Sequence, residues 1–166
     1  MIDYIIEYCE ISEPEKTFIG EKYNDCLVGI SYIANEDFIP VYDLNKVLKI
    51  IMKDNELSES DSINFFNENI LDKYPLVSFL YYVDGDRENL ANYNVNMLFL
   101  DGYSDNCLLG VRFRHGHQVI AAYYDFSCIQ DLVSDGMIEE DAVEYFEYNT
   151  RGSYYNNNTP AIITLL

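Results

Sequence analysis

Two aspartates are the most conspicuous repeated polar residues of the chain, because each directly follows a tyrosine and precedes a helical pattern. Asp43 follows Tyr42, and Asp125 follows Tyr124. Two carboxylates held face to face can serve a hydrolase as an acid–base pair. An aspartate at such a place also caps a helix by accepting a hydrogen bond from an unpaired backbone N–H, which stabilises by about 1 kcal/mol. The pattern favours capping over catalysis for both residues.

Metal and nucleophilic chemistry have little support. The two histidines, His115 and His117, flank a glycine, which is typical of a hairpin tip rather than of a metal site. Acidic residues gather at 84–86 and 101–105, but neither segment has the spacing of a calcium loop. The chain has no Gly-rich phosphate loop and no nucleophile elbow. We therefore predict a protein that is not an enzyme, with no catalytic residue, no metal and no cofactor.

The strongest pattern in the sequence is a repeat. Residues 141–149, DAVEYFEYN, echo residues 61–69, DSINFFNEN, and both segments end on an asparagine suited to a helix end, Asn69 and Asn149. Upstream, the Tyr-Asp pairs echo each other, and DCLVG at 25–29 echoes DNCLLG at 105–110. The near-constant offset predicts an internal duplication with copies at 24–82 and 105–166. A connector at 83–104 joins them, and an N-terminal decoration at 1–23 precedes them.

Each predicted copy has the order β-β-α-α-β, so the expected fold class is α+β, with two copies packed about a pseudo-twofold axis. The second helix of the first copy begins at Ser58, whose spacing to Asp61 indicates a capping box. Periodicity and turn residues set the other elements. We expect strands at 27–33, 38–42, 76–83, 95–100, 107–113, 119–124 and 159–166, turns at 35–37, 84–86 and 115–117, a second-copy helix at 139–149, and a short N-terminal helix through Tyr4, Ile5, Tyr8 and Cys9.

The charge of the chain decides which partners it suits. Aspartate and glutamate total 29 against 10 lysines and arginines, for a formal net charge of −19. This balance argues against direct binding of nucleic acid or of an anionic membrane and favours a basic partner protein. About 32 Å of duplex DNA carries as many charges, and a folded chain of this length has a comparable span, with a radius of gyration near ~15 Å. An acidic surface that only keeps the protein in solution is the alternative reading.

Tyrosine is the second unusual feature of the composition. The chain has 16 tyrosines, with doublets at 81–82, 123–124 and 154–155. Tyrosine is enriched at interfaces and binds lysine or arginine through cation–π contacts, although an amphipathic sheet face also uses it. Acids are denser in the second helix of the second copy than in that of the first. We therefore predict that a partner binds Glu139, Glu140, Asp141, Glu144, Glu147, Tyr148, Tyr154 and Tyr155.

The cysteines and the N-terminus indicate a reducing compartment. The four cysteines, Cys9, Cys26, Cys107 and Cys128, form no Cys-x-x-Cys pair, so free thiols are expected. The first residues are acidic where a signal peptide is basic, and no apolar run reaches membrane-spanning length. The predicted location is the cytoplasm, or the host cytoplasm for a phage-encoded protein.

The second copy resembles a known group of proteins. It contains Tyr124-Asp125, Gly136-Met137, EEDA at 139–142, YFEYNT at 145–150, Gly152 and Thr159-Pro160. This pattern is similar to that of small single-copy proteins of phages and bacterial genomes, often described as hypothetical. Two differences stand out: Ile138 replaces the serine usual after Gly-Met, and the first copy lacks the Gly and Thr-Pro tail. The resemblance implies a phage or mobile-element origin and no assigned activity.

Charge, tyrosines and resemblance together predict a non-enzymatic inhibitor. We expect it to occupy the basic nucleic-acid channel of a host defence protein, such as a CRISPR effector or a restriction enzyme. One alternative is a structural module that self-assembles through its tyrosine-rich face, for instance as a homodimer. Another is a carboxylate-dependent hydrolase using Asp43 and Asp125.

Overall fold

Six strands close into one barrel in the computed structural model, which describes residues 18–32, 39–83 and 86–166. The strands are β1 (Leu27–Tyr32), β2 (Ile39–Asp43), β3 (Ser78–Tyr82), β4 (Leu108–Phe113), β5 (Ile120–Tyr124) and β6 (Ala161–Leu165). The expected N-terminal helix and the turn at 35–37 lie outside the described residues, as do the first two residues of the turn at 84–86.

Each half of the chain contributes three consecutive strands to the barrel. β1 and β2 pair antiparallel and β3 joins β2 in parallel, and β4, β5 and β6 repeat this order. The halves join through two antiparallel pairs, β3 with β4 and β6 with β1. Closure gives every strand two neighbours, so the barrel has no open edge for another chain to pair with.

Helices supply the crossovers that parallel pairing requires. Helix α1 (Leu44–Asn55) follows β2, and α2 (Glu59–Phe66) continues as a π-helix at Asn67–Leu71. Both N-caps confirm the sequence prediction. A carboxylate oxygen of Asp43 accepts the Lys46 N–H at 3.1 Å, and the hydroxyl of Ser58 accepts the Asp61 N–H at 3.2 Å while donating to the Asp61 carboxylate at 2.7 Å.

The connector and the second half supply three further helices. Helix α3 (Arg87–Ala91), which periodicity did not predict, lies in the connector. Helix α4 (Asp125–Ser134) follows β5, and α5 (Glu139–Tyr145) continues as a π-helix at Phe146–Arg151. Short 3₁₀ helices at Glu21–Cys26 and Asp105–Cys107 precede β1 and β4. The α+β class predicted from the sequence is confirmed, whereas closure into a barrel was not predicted.

The two halves use the same strand register. Gly29 pairs with Val41 in the first half, and Gly110 pairs with Ala122 in the second, each beside an irregularity in the ladder. The tyrosine before each crossover is fully buried at the same place, Tyr42 in β2 and Tyr123 in β5. Element order and register therefore repeat, although the side chains differ.

The core has three main clusters and a small fourth one, the pair Ile120 and Ala161. A cluster of four side chains, one from each of four strands, fills the barrel: Val41, Leu80, Ala122 and Ile163. Outside the barrel, the first-half helices cover a second cluster that contains Tyr42 and Phe79, and the second-half helices cover a third that contains Tyr123 and Phe146. Side chains alternate along each strand, so one sheet serves the inner core and both outer ones.

The structure corrects the sequence prediction at Asp125 and at residues 95–100. Asp125 does not cap α4, because strand register equates Tyr42 with Tyr123 and makes Tyr124 the N-cap residue, which forms no side-chain cap bond. Residues 95–100, predicted as a strand, form a turn and irregular backbone, because β3 and β4 already have both neighbours within the closed barrel. This stretch instead forms a wall of the groove described below.

Replacing Ser58 by alanine tests the capping box. We expect the free energy of unfolding to fall by about 1 kcal/mol, because the N–H of Asp61 loses its acceptor at the start of α2. Chemical denaturation measures the change. Ser58→Asp serves as the control and should restore most of the loss, whereas an unchanged Ser58→Ala variant would contradict the cap.

Candidate functional site

Helix α5 and its π-helical continuation turn only a narrow side towards the barrel. Ala142, Phe146 and Thr150 are buried, and the residues between them are exposed or half-buried. The N-cap residue, Ile138, forms no side-chain cap bond. Carboxylates in the first turn compensate by interacting with the positive end of the helix dipole. These are Glu139, Glu140 and Asp141.

All eight residues predicted to bind a partner are exposed. Glu140 and Glu144 lie one turn apart, on the side of α5 opposite the buried Ala142. Glu147 differs from them, because its carboxylate forms an ion pair of 2.7 Å with Arg151. We call Glu139, Glu140, Asp141, Glu144 and Glu147 the acidic surface of α5, and its centre is the pair Glu140 and Glu144.

Arg151 ties this surface to the barrel. Its guanidinium donates to the Asp125 carboxylate at 2.8 Å, and the same carboxylate oxygen accepts the Thr164 hydroxyl. The guanidinium also lies over the Phe146 ring, 5.5 Å from its centroid. Asp125 and Arg151 have side chains only 12% and 19% exposed. The aspartate singled out in the sequence thus anchors the end of the π-helix to β6.

A groove of about 520 Å³ lies beside α5. Connector residues 98–103 form one wall, and the π-helix with the loop before β6 forms the other. At its base the Tyr103 hydroxyl and the Thr150 hydroxyl are 2.5 Å apart and buried. We call this the tyrosine groove, because Tyr103, Tyr145, Tyr154 and Tyr155 line it together with Asp101. Of the predicted binding residues, it brings together Tyr154 and Tyr155 but not Tyr148.

The loop before β6 builds one wall of the groove, and it is longer than the corresponding loop of the first half. Nine residues, 152–160, separate the second π-helix from β6, whereas six, 72–77, separate the first from β3. The Thr159 hydroxyl fixes the longer loop by accepting the N–H groups of Tyr155 and Asn156, both at 3.0 Å. The Tyr154 hydroxyl donates to Asn157 at 2.9 Å. The Thr-Pro tail therefore holds the groove tyrosines in place.

Replacing Thr159 by valine is expected to loosen this loop. The variant keeps the shape of the side chain but removes the acceptor of two backbone N–H groups, at a cost of about 1–2 kcal/mol. Hydrogen exchange should accelerate at the amides of Tyr155 and Asn156. Amides in α1 provide the internal control, and equal acceleration there would indicate global destabilisation instead of loop opening.

Three other polar residues that the sequence singled out, His115, Asn69 and Asn149, have local structural partners. The Nδ1 atom of His115 lies 3.1 Å from the Asp72 carboxylate, which links the β4–β5 turn to the first half. Asn69 and Asn149 lie inside the π-helices, where they donate to the carbonyls of Phe65 and Tyr145. The sequence had predicted that these two asparagines end their helices. This prediction was wrong, because neither residue has the left-handed backbone conformation of such a cap. Across residues 18–32, 39–83 and 86–166, no cluster of histidine, cysteine, aspartate and glutamate is arranged to hold a metal ion.

A buried thiol supports the connector. The Sγ of Cys107 donates to Asp131 at 3.2 Å, and the Ser104 N–H donates to the same oxygen at 2.6 Å. Burial opposes ionisation of Asp131, but the hydrogen bonds from Ser104 and Cys107 outweigh it and lower the pKa of the carboxyl. Cys26, Cys107 and Cys128 are free thiols, as predicted, and Cys9 lies outside the described residues.

Comparison with known proteins gives no relative. No protein-family model, curated protein or solved structure matches the chain. The resemblance of the second copy to small phage and bacterial proteins thus stays a prediction. Within the part of the chain that the structure describes, no helix is long and apolar enough to cross a membrane.

Sequence reasoning missed two parts of the site. The wall at 98–103 was assigned partly to a strand, although the Asp101-Gly102 turn and the buried Tyr103 belong to an irregular segment. Arg151 was overlooked, yet it is the only basic residue between 137 and 160. A single arginine in so acidic a segment was the available signal that it holds carboxylates together.

Proposed function

We propose that the chain is a non-enzymatic acidic binding protein that occupies the basic nucleic-acid site of another protein. The exposed acidic surface of α5 is the observation that carries the proposal. Glu140 and Glu144 are solvated and project away from the barrel, where a partner's lysines and arginines can approach them. Complementary charge steers association and excludes partners of like charge.

The contrast between the two halves supports this choice of surface. Helix α2 and its continuation carry Glu59, Asp61 and Glu68, and Asp61 already takes part in the capping box. At the outward positions of this segment stand the neutral residues Asn64 and Asn67. Negative charge is therefore denser on the second-half helix, and it borders the tyrosine groove.

The biological form of the proposal is an inhibitor. A protein that places carboxylates where DNA or RNA phosphates would lie competes with nucleic acid for the same lysines and arginines. A CRISPR effector or a restriction enzyme has such a channel, and a phage or a mobile element gains from blocking it. The net charge of −19 supports competition with nucleic acid, and the sequence resemblance is what suggests the phage setting.

The test is capture from a nuclease-treated bacterial lysate, followed by competition. The tagged protein should retain a nucleic-acid-binding protein that elutes at moderate salt, because salt screens contacts between exposed charges. Short duplex DNA or single-stranded RNA should release the captured protein without added salt, because the nucleic acid and the tagged protein compete for one site on it. A captured protein that binds nucleic acid and this chain at the same time would contradict the mimic.

Exposed tyrosines favour a second candidate, a self-assembling module. Tyr148 is 83% exposed and Tyr155 is 82% exposed, which is unusual for aromatic side chains without a partner. Self-assembly through them predicts a homo-oligomer whose dissociation constant is insensitive to salt. Analytical ultracentrifugation at low and high salt separates the two candidates.

A carboxylate-dependent hydrolase has less support, because Asp43 and Asp125 both accept structural hydrogen bonds.

We also propose that the two halves arose by duplication of a β-β-α-α-β unit and pack about a pseudo-twofold axis. Three observations support this proposal. The strand order repeats, Gly29 and Gly110 occupy equivalent places in their strands, and the second helix of each crossover continues as a π-helix. Duplication explains why one half can keep the fold while the other acquires a binding surface. In this proposal the longer loop at 152–160 is the acquired part.

A further inference from the structure

We infer that the tyrosine groove takes the guanidinium side chain of an arginine on the basic partner. The inference rests on the proposed function and adds to it a site, a residue type and a mode of binding. The groove adjoins the acidic surface of α5 through Tyr145, the last residue of that helix. A basic segment that follows the helix therefore reaches the groove directly.

The lining of the groove suits a cation. Asp101 is its only charged residue among those described, and the remaining polar groups are hydroxyls and the Asn149 amide. Tyr145, Tyr154 and Tyr155 are 43%, 46% and 82% exposed, so aromatic surface is available to a ligand. A smaller pocket of about 200 Å³ at 116–120 is the contrasting case, because Arg112 lines it and a cation would meet like charge.

The planar guanidinium fits this lining better than the ammonium of lysine. It stacks on aromatic faces while it donates hydrogen bonds in its own plane, and it is more weakly hydrated than an ammonium. The chain itself uses this combination behind the connector wall. Arg87 lies over the Phe99 ring at 5.7 Å, donates to Asp105 at 2.8 Å, and donates to the carbonyls of Leu100 and Tyr103.

The groove is also held ready for a ligand. On one side, Arg87 fixes the wall through the Leu100 and Tyr103 carbonyls, and the Tyr123 hydroxyl accepts the Leu100 N–H at 3.1 Å. On the other, Thr159 fixes the backbone at Tyr155. A wall and a loop that are fixed before binding reduce the entropy lost on binding, which raises affinity and selectivity.

Charge also argues against an occupant from the chain itself. The segment 1–17 contains five acidic residues and one lysine, so it would bring carboxylates towards Asp101 and α5. A second copy of the protein would bring the same net charge of −19. A basic segment of another protein is the occupant that the electrostatics favour.

The experiment compares two fluorescent peptides of equal charge, nona-arginine and nona-lysine, by anisotropy. Wild-type protein should bind nona-arginine about tenfold more tightly than nona-lysine, because only the guanidinium stacks in the groove. Tyr145→Leu/Tyr155→Leu, which removes two rings but keeps apolar bulk, should bring the ratio close to 1 by weakening nona-arginine much more than nona-lysine. Tyr93→Leu alters a comparably exposed tyrosine outside the groove and should retain the wild-type ratio.

A second variant separates this inference from the proposed function. Glu140→Lys/Glu144→Lys should weaken both peptides and keep their ratio. A wild-type ratio near 1, or a ratio unaffected by the tyrosine variant, overturns the arginine site while leaving the acidic surface in place. If the Glu140→Lys/Glu144→Lys variant binds both peptides as wild type does, the acidic surface fails. A tyrosine-dependent ratio would then still support the groove.

Discussion

Reversing the charge of Glu140 and Glu144 to lysine is expected to weaken binding of the nucleic-acid-binding partner by at least about 100-fold. Both side chains are exposed on the outward side of α5, and each reversal replaces an attraction to the partner with a repulsion. About 1.4 kcal/mol for each reversal corresponds to tenfold in the dissociation constant. Isothermal titration calorimetry against the captured partner measures the loss.

Salt dependence gives this prediction a second readout. Affinity should fall as the salt concentration rises, because salt screens exposed charges, and this dependence should be weaker in the variant, which makes fewer attractive charged contacts. Glu147 stays unchanged in this variant, because its carboxylate holds Arg151 and its replacement would disturb the anchor to Asp125. A loss caused by disturbed folding is thereby kept apart from a loss of binding.

The matched control reverses two exposed acids of the other half, Glu59 and Glu68. Glu59 begins α2 and Glu68 lies in the π-helix after it, so helical position is comparable and net charge changes equally. We expect less than a threefold change in affinity for this variant. Equal losses in the two variants would show that the partner responds to net charge alone and would contradict a binding surface on α5.

The sequence predicted the elements well where local physics determines them. Asp43 and Ser58 stand at helix starts where only the backbone N–H groups of the first turn need acceptors, and both cap as expected. The hairpin turn at 115–117 follows from Gly116, because glycine tolerates the left-handed backbone of such a turn. These features depend on neighbours within four residues.

Features that depend on distant contacts were not predictable in the same way. Strand pairing aligns Tyr123 with Tyr42. The sequence comparison aligned the two Tyr-Asp pairs instead, which placed Asp125 one position away from the true equivalent of Asp43. Closure of the barrel leaves no free edge, which excludes the strand expected at 95–100 despite its apolar run. Pairing between β6 and β1 joins residues 130 to 136 positions apart, and no local pattern encodes it.

The candidate site also has one part that the sequence predicted and one part that only the structure shows. The density of acids on α5 and the Tyr154-Tyr155 doublet are visible in the sequence, and all eight residues predicted from them are exposed. The groove depends on contact between the connector and the loop at 152–160, two segments about fifty residues apart. Only the structure shows that Asp101 and Tyr103 line the same groove as Tyr145.

Replacing Gly110 by alanine is expected to destabilise the protein by about 4 kcal/mol or more, which few single substitutions reach. A Cβ atom at this position would lie 2.1 Å from the Tyr81 carbonyl oxygen and 2.8 Å from the Val83 nitrogen, both backbone atoms of the neighbouring chain segment. The φ angle is also +142°, which a residue with a side chain rarely adopts. Alanine must therefore separate β4 from β3, the pair that joins the two halves.

Two further glycines separate the causes of this loss. Gly116 has φ +71° but open space around it, so Gly116→Ala carries only the conformational cost of about 1 kcal/mol. Gly29 has no unusual φ, but a Cβ would lie 2.3 Å from the Thr164 carbonyl oxygen. Gly29→Ala therefore carries the cost of crowding at the other junction of the halves, β1 with β6. Chemical denaturation should rank the loss of stability as largest for Gly110, intermediate for Gly29 and smallest for Gly116. Equal stability of the Gly110 and Gly116 variants would contradict the close approach of β3 and β4 on which closure of the barrel depends.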